Sequence, residues 1–341
     1  MSDRTGEFEL IDRLRERLGR SEIPLGPGDD AAVLPPSPGP VVSVDTSVEG
    51  IHFPLGWDDP AGIARRALAV ALSDLAAMGV DPGQVIVALG VSPDRDRDFW
   101  FGLADGMVDA AAEFGVALAG GDVVRAPLMF LSVTAIGSIP EGREPVTRSG
   151  ATVGDLVAVT GSLGGAKAGL LLRDESSLGM RPEGSKDARE HREALDRLLE
   201  RYLRPVPRLE AGAAFGRKGA SAMIDVSDGL LADLGHLARE SGVRIELAAD
   251  SIPVDSALES IREVLGETDL VPFALTAGDD YELALTFPAD RFEGLQSAAA
   301  GSGVTLTVIG TVVEGEGVGL PSDLDQPRSG QSRGPGYEHR F

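Results

Sequence analysis

An α+β chain of two domains is the architecture that this sequence predicts. Apolar runs recur along all 341 residues, with 43% hydrophobic and 25% charged residues, which is ordinary globular composition and long enough for two domains. Strand-like and helix-like segments mix without strict βαβ alternation, which favours α+β over one doubly wound sheet. A polar stretch, Ile139–Gly154, carries Pro140, Pro145 and several glycines. It separates an N-terminal domain, 1–138, from a C-terminal α+β domain, 149–341.

Composition excludes several classes of function. There are 31 Lys+Arg against 54 Asp+Glu, a net charge of −23, so phosphate-rich nucleic acid would be repelled. There is no cysteine, which removes disulfides, zinc–thiolate sites, iron–sulfur clusters and a thiol nucleophile together. Four histidines are too few for a His-rich metal site. The opening MSDRTGEFEL has no apolar h-region, and no apolar stretch is long enough to span a bilayer. The expectation is a cytoplasmic protein with no membrane and no nucleic-acid partner.

The elements follow from spacing. Phe8, Ile11, Leu14 and Leu18 mark a helix over Glu7–Leu18 that stops at Gly19. The turn-rich Gly26–Leu34 leads to a short strand, Val41–Val44, ending at Asp45. Asp59-Pro60 is an N-cap followed by proline at the first helical position, opening an Ala/Leu-rich helix that reaches Met78 and stops at Gly79. Gln84–Val91 is a strand and Asp98–Phe114 a helix. Val116–Ala119 and Leu128–Ile136 are strands, separated by the loop GGDVVRAP. In the second domain Leu156–Thr160, Ser221–Ile224, Val243–Leu247, Tyr281–Phe287 and Val304–Val313 are strands. Helices are expected around Ala166–Leu172, over Ala188–Leu203 and over Leu230–Glu240. Asp174–Lys186 and Ser322–Gly336 are loops.

No GxxxxGK[ST], helix-opening GxGxxG, HRD or DFG pattern occurs. Gly161–Lys167, GSLGGAK, has the composition of a phosphate loop but the wrong spacing, and is read as a turn into a packed helix. The informative pattern is a repeated acidic turn: Gly28-Asp29-Asp30-Ala31, Ser43-Val44-Asp45-Thr46, Ser73-Asp74, Gly120-Gly121-Asp122, Asp225-Val226-Ser227-Asp228-Gly229 and Gly278-Asp279-Asp280. Any one of them is commonly a cap or a turn. Asp74 fits that role least, because it lies inside an apolar helix and needs a cation or a donor. Converging together, such turns would hold several Mg2+ ions and a polyphosphate, since Mg2+ takes one or two carboxylates plus waters and phosphate oxygens.

GEFELI, GPGDDAAVL, SVDTSVEGIHF, ALSDLAAMG, GGDVVR, TRSGA, RPVPR, IDVSDGLLADLGHL, AGDDYEL and GYEHRF occur in this order from Gly6 to Phe341. In motif order and spacing the chain resembles the thiamine-monophosphate kinase family, within the ATP-binding superfamily related to aminoimidazole ribonucleotide synthetase. The resemblance implies direct transfer of a phosphoryl group from ATP to thiamine phosphate, with several Mg2+ ions and no covalent nucleophile. It implies that Asp30, Ser43, Val44, Asp45, Asp74, Asp122, Asp225 and Asp228 hold metal, Val44 through its carbonyl. Gly121, Asp122, Arg148 and Ser227 would contact ATP, and His52, Asp279 and Tyr337 thiamine phosphate. It further implies a homodimer whose N-terminal domains join their sheets, beside a C-terminal mixed sheet with helices. Three positions depart from the family pattern: Val44 and Val123 stand where Thr is usual, and Asp279 where Glu is usual.

Other readings stay open at this level. Selenophosphate synthetase and the hydrogenase-maturation carbamoyl dehydratase use a cysteine or selenocysteine that this chain lacks. A ribonucleotide cyclo-ligase of the same superfamily and a non-catalytic acidic nucleotide- or metal-binding module remain as alternatives.

Overall fold

The structure, a computed structural model, describes residues 13–14, 16–17, 39–139, 141–172, 186–266 and 269–320. The chain divides into two compact units. The first runs to Leu75 and resumes over Val80–Glu144; the second comprises Ala76–Gly79 and the chain from Pro145 onward.

The first unit is a four-stranded sheet with helices. Its strands are β1 (Pro40–Val48), β2 (Asp81–Val91), β3 (Ala117–Arg125) and β4 (Phe130–Ser138), in the order β1-β4-β2-β3. β4 is antiparallel to both neighbours, and β2 and β3 are parallel. Along β4 buried and half-buried residues alternate, so Leu131, Val133 and Ala135 form one row of the core. Helices α1 (Pro60–Ala77) and α2 (Arg97–Glu113) contribute Leu68, Leu72, Leu75, Leu103 and Met107 to the same core. Each such buried side chain stabilises the unit by roughly 1.5–3 kcal/mol. α1 starts as its sequence indicates: the Asp59 carboxylate accepts the Gly62 N–H at 2.9 Å, a cap of about 1 kcal/mol.

The second unit holds a mixed six-stranded sheet, ordered β10-β7-β9-β5-β8-β6. Its strands are β5 (Leu156–Thr160), β6 (Ala222–Val226), β7 (Arg244–Leu247), β8 (Glu282–Phe287), β9 (Leu306–Val313) and β10 (Gly317–Gly319). β10 and β7 are parallel and the other pairs antiparallel. Its helices include α3 (Gly165–Leu172), α4 (Lys186–Leu203), α5 (Leu209–Lys218), α6 (Leu230–Ser241), α7 (Leu270–Thr276) and α8 (Phe292–Gly301). Leu230, Leu234 and Leu237 of α6 pack with Val157, Ile224 and Ile309 of the sheet. A second cluster joins Ala168 and Leu172 of α3 to Leu198 of α4, and to Leu258 and Phe273. Among the described residues no helix is long and apolar enough to cross a membrane.

Several boundaries differ from the sequence reading. β1 does not end at Asp45; it continues to Val48, so Ser43–Thr46 is strand and not turn. GGDVVR is not a loop: Gly120–Arg125 completes β3. The reason is a close approach, because a Cβ on Gly121 would lie 2.0 Å from the Val87 carbonyl oxygen. Asp225 lies within β6. Helices α5, α7 and α8 and strand β10 had no counterpart in the spacing analysis. Of the expected helix over Glu7–Leu18, Arg13, Leu14, Glu16 and Arg17 are described, and they are helical. Gly26–Leu34, with Asp30, and Ser322–Gly336 lie outside the described residues, as does Tyr337; of Asp174–Lys186 only Lys186 is described, at the start of α4.

Candidate active site

In the first unit the structure answers the question posed by Asp74. Ser43 Oγ, on β1, donates to Asp74 Oδ2, on α1. Both side chains are half-buried, and the hydroxyl supplies the donor that a carboxylate on an apolar helix requires. Ser43 and Asp45 stand opposite Ala135 and Val133, in the rows that face the helices. Val44 points the other way and is 61% exposed. Asp122 does not join this group. It is exposed, and its register with Ala88 and through it Ser132 puts it on the sheet's opposite face. Gly121 lies in the helix-facing row beside Val87.

His52 sits in the turn after β1. Its Nδ1 accepts the Val48 N–H at 3.1 Å, which leaves the ring proton on Nε2, the nitrogen that can donate to an anion. The turn is fixed from below by Glu49, a residue the sequence reading passed over. The buried Glu49 carboxylate accepts from Arg95 Nη2 at 2.9 Å and from the Gly56 N–H at 3.1 Å. Arg95 also donates to the Trp57 carbonyl at 3.3 Å and lies over the Phe99 ring. An acid at a strand end ahead of Gly50 was the available signal.

In the second unit the chain leaves β6 through Ser227-Asp228-Gly229 and enters α6. Asp225 is buried, while Ser227 and Asp228 are half-buried. The organising residue here is Asp233, also missed from sequence. One of its oxygens accepts the N–H groups of Ser227, Asp228 and Gly229 at 3.1, 3.2 and 3.1 Å. Burial, and then the neighbouring Asp225 and Asp228, push its carboxyl up to about 8. An acidic residue in the first turn of a helix was the signal that could have found it.

The Gly278–Tyr281 segment packs on that turn. The Asp279 N–H donates to the Ser227 carbonyl and the Tyr281 N–H to the Val226 carbonyl, each at 2.8 Å. Asp279 and Tyr281 adopt φ of 68° and 50°, a region that costs a non-glycine residue free energy, of order 1–3 kcal/mol. The Tyr281 hydroxyl donates to Asp279 Oδ1 at 3.1 Å. Two buried carboxylates flank these positions. Asp280 accepts the Gly164 N–H at 2.6 Å and the Ala166 N–H at 3.2 Å, and meets Arg201 at 3.4 Å. Glu282 accepts from Arg208 Nε at 2.7 Å and Nη2 at 2.5 Å, and from Thr160 Oγ1 at 2.7 Å. Two amides of the GSLGGAK stretch, Gly164 and Ala166, are therefore taken by an internal carboxyl group, and those of Gly161 and Leu163 by the Thr305 and Pro253 carbonyls. Burial pushes the Asp280 carboxyl up to about 7, against the pull of Arg201 and the two N–H donors.

Arg148 is exposed on the approach to β5, and its carbonyl accepts from Ser241 Oγ at 2.7 Å. Among the described residues no group of three or more His, Asp or Glu side chains is placed to hold a metal ion by itself. The Ser43–Asp74 pair with Asp45, and Asp225 with Asp228, are hard oxygen donors of the kind that hold Mg2+ together with phosphate oxygens and water.

Comparison with known proteins places this arrangement in a class. The AIR synthase related protein family matches through its N-terminal domain over residues 28–139 and its C-terminal domain over residues 152–322. The thiamine-monophosphate kinase of Mycobacterium tuberculosis (strain CDC 1551 / Oshkosh) is 41% identical over 285 residues, 83% of this chain and 80% of that one. The crystal structure of thiamine-monophosphate kinase from Stenotrophomonas maltophilia K279a has 41% identity and a TM-score of 0.79, covering 92% of this chain and 96% of that one. A structure of AaThiL complexed with AMPPCP and TMP has 32% identity and a TM-score of 0.71, covering 92% and 93%. Within the AIR-synthase-related class, the chain belongs to the thiamine-monophosphate kinase family.

Proposed function

We propose that this protein transfers the γ-phosphoryl group of ATP to the phosphate of thiamine phosphate, giving thiamine diphosphate and ADP. The observation that carries this reading is the likeness to thiamine-monophosphate kinase over 92% of the chain at 41% identity. The side chains suit such a transfer, which rests on positioning and charge neutralisation more than on covalent chemistry. Asp45 and Asp74, with Ser43, are the first unit's candidates for holding Mg2+; Asp225 and Asp228 are the second's. Asp30, the Val44 carbonyl and Asp122 are the further positions expected from sequence, Asp122 standing apart from Asp45 on the other face of the sheet. Bound Mg2+ would neutralise charge on the transferring phosphoryl oxygens. Gly121, Asp122, Arg148 and Ser227 are assigned to ATP; His52, Asp279 and Tyr337 to thiamine phosphate. Nε2–H of His52 is a donor suited to the acceptor's phosphate, and Arg148 is a guanidinium able to pair with a phosphate in bidentate fashion.

The homodimer belongs to the same reading. The face of the first sheet away from its helices carries Val42 and Val44, 58% and 61% exposed, with Ile86, Phe130 and Ile136 half-buried beside them. Pairing with a second copy would cover these side chains and the β1 edge. The domains at 1–138 and 149–341 and a cytoplasmic location complete the proposal.

The test is product formation. Purified protein with MgATP converts thiamine phosphate to thiamine diphosphate, free thiamine is a much poorer acceptor, and EDTA abolishes turnover. Phosphorylation of free thiamine with none of thiamine phosphate would overturn the reading.

A further inference from the structure

The N-terminus of α6 is capped from inside the helix. The cap position itself is Gly229, with φ 118° and ψ 143°, and it offers no side chain. A side chain there would be strained, and its Cβ would lie 2.9 Å from the Thr276 carbonyl carbon. The usual Ser, Thr, Asp or Asn cap is therefore unavailable at this position. Asp233, four residues further along the chain, caps the helix instead. A single oxygen of its carboxylate gathers the N–H groups of Ser227, Asp228 and Gly229. Its own N–H donates to the Gly229 carbonyl at 3.0 Å, and the residue is 3% exposed.

The start of the same turn is held from the other side by the backbone N–H groups of Asp279 and Tyr281, which donate to the Ser227 and Val226 carbonyls. The turn is thus tied through its donors by Asp233 and through its acceptors by the Gly278–Tyr281 segment. A Cβ on Gly278 would meet the Ser227 carbonyl oxygen at 2.6 Å, so the two segments are in close contact. A third carboxylate set beside Asp225 and Asp228 is electrostatically unfavourable in the metal-free chain. A neutral hydrogen-bond acceptor would cap the helix without that repulsion. What the Asp233 oxygen supplies is one atom that accepts from three consecutive amides and ties the backbone from Ser227 to Gly229 at a single point.

We propose that Asp233 is a positioning residue: by holding the Ser227–Gly229 backbone it sets the directions in which Asp225, Ser227 and Asp228 present their oxygens to a metal-bound nucleotide. The inference rests on the roles given to those three residues in the kinase reading above. It goes beyond that reading in assigning to Asp233 a part played through the backbone and not through contact with metal or nucleotide.

The test compares Asp233→Asn, Asp233→Glu and Asp233→Ala in the full-length protein. Mn2+ binding in the presence of a non-hydrolysable ATP analogue is read by electron paramagnetic resonance, beside thermal unfolding and the KM values for MgATP and thiamine phosphate. Asn keeps an oxygen where the three amides point; Glu keeps the charge but moves it by one methylene. The expected order of Mn2+ affinity is wild type, then Asn within a few-fold, then Glu and Ala weaker by about 10-fold or more, the usual cost of losing an outer-shell partner. KM for MgATP follows the same order while KM for thiamine phosphate stays within about twofold. An order in which Glu outperforms Asn would make Asp233 a charged ligand and overturn the proposal, as would unchanged Mn2+ binding in Ala. If Ala does not fold, the ranking of Asn against Glu still decides. Mn2+ binding is read without turnover, so a wild-type protein that ranks its variants as expected but does not phosphorylate thiamine phosphate overturns the kinase reading alone. A wild-type protein that binds no Mn2+ with the analogue overturns this inference.

Discussion

Ser43 Oγ on β1 donates its proton to Asp74 Oδ2 on α1, joining the middle of an edge strand to the last turns of the helix beside it. The bond satisfies one oxygen of a half-buried carboxylate and fixes where the other lies. Ser43→Ala removes that restraint and leaves the charge. Turnover is expected to fall about 10-fold through weaker metal affinity, with a stability loss of about 1 kcal/mol for the missing hydrogen bond. Mg2+ titration of the rate and urea unfolding read the two effects separately.

Asp45→Asn and Asp74→Asn are expected to lower turnover by orders of magnitude while the protein still folds, because each removes a charged ligand from the proposed metal site and relieves repulsion in its absence. ADP release and thermal unfolding are the measurements. Near-normal turnover in both would remove these residues from the site, and unfolding without a specific activity loss would return Asp74 to a structural role.

Arg208 grips Glu282, whose carboxylate is fully buried. Arg208→Met removes its two bonds and leaves the charge with Arg201 at 3.6 Å and the Thr160 hydroxyl, and should cost about 3 kcal/mol. Adding Glu282→Leu removes the under-compensated group and should recover part of the loss, since a buried pair replaced by apolar side chains is commonly neutral or better. Urea unfolding of wild type, single and double variants closes the cycle; a double variant no more stable than the single one would contradict it.

Asp280 gives a pH dependence with a definite sign. Its carboxyl is raised to about 7 in the folded chain, chiefly by burial, from an ordinary value of 3.8. Between these values the folded state holds a proton that the unfolded state has lost. Stability from this group is therefore full below the unfolded value and declines as pH rises to about 7, by at most about 1.4 kcal/mol per pH unit. Urea unfolding at pH 5, 6, 7 and 8 should show the wild type losing ground against Asp280→Asn up to pH 7 and not beyond. A difference independent of pH would refute the shift.

The outward apolar face of β1 carries the last prediction. At tens of micromolar, light scattering should give twice the chain mass. The double variant Val42→Glu, Val44→Glu should give the single mass with the fold retained, because it adds charge where two such faces would meet. A wild-type monomer would overturn the dimer and leave the phosphoryl-transfer reading standing.

The parts of this fold that sequence alone determined are those set by neighbours along the chain. Asp59-Pro60 and the stop at Gly79 bound α1 because capping, proline geometry and a positive φ at glycine are local effects. α2 and α6 were legible for the same reason, since three-to-four spacing records which face is buried, and β5 because a short unbroken apolar run marks a strand buried on both faces. The order of the motifs nominated the candidate carboxylates before any geometry was known. What only the tertiary structure decided involves residues distant in sequence. Glycine reads as a break, yet Gly121 and Gly212 lie inside a strand and a helix because the Val87 and Ala76 carbonyls leave no room for a Cβ. GSLGGAK reads as a turn into a packed helix, but only the fold shows that two of its amides, Gly164 and Ala166, are satisfied by Asp280, more than a hundred residues away. Asp233 looks like one more surface acid on a helix, and its role emerges only when the turn before α6 closes around it. A carboxylate's neighbours are fixed by packing, and packing is not written in the spacing of any one segment.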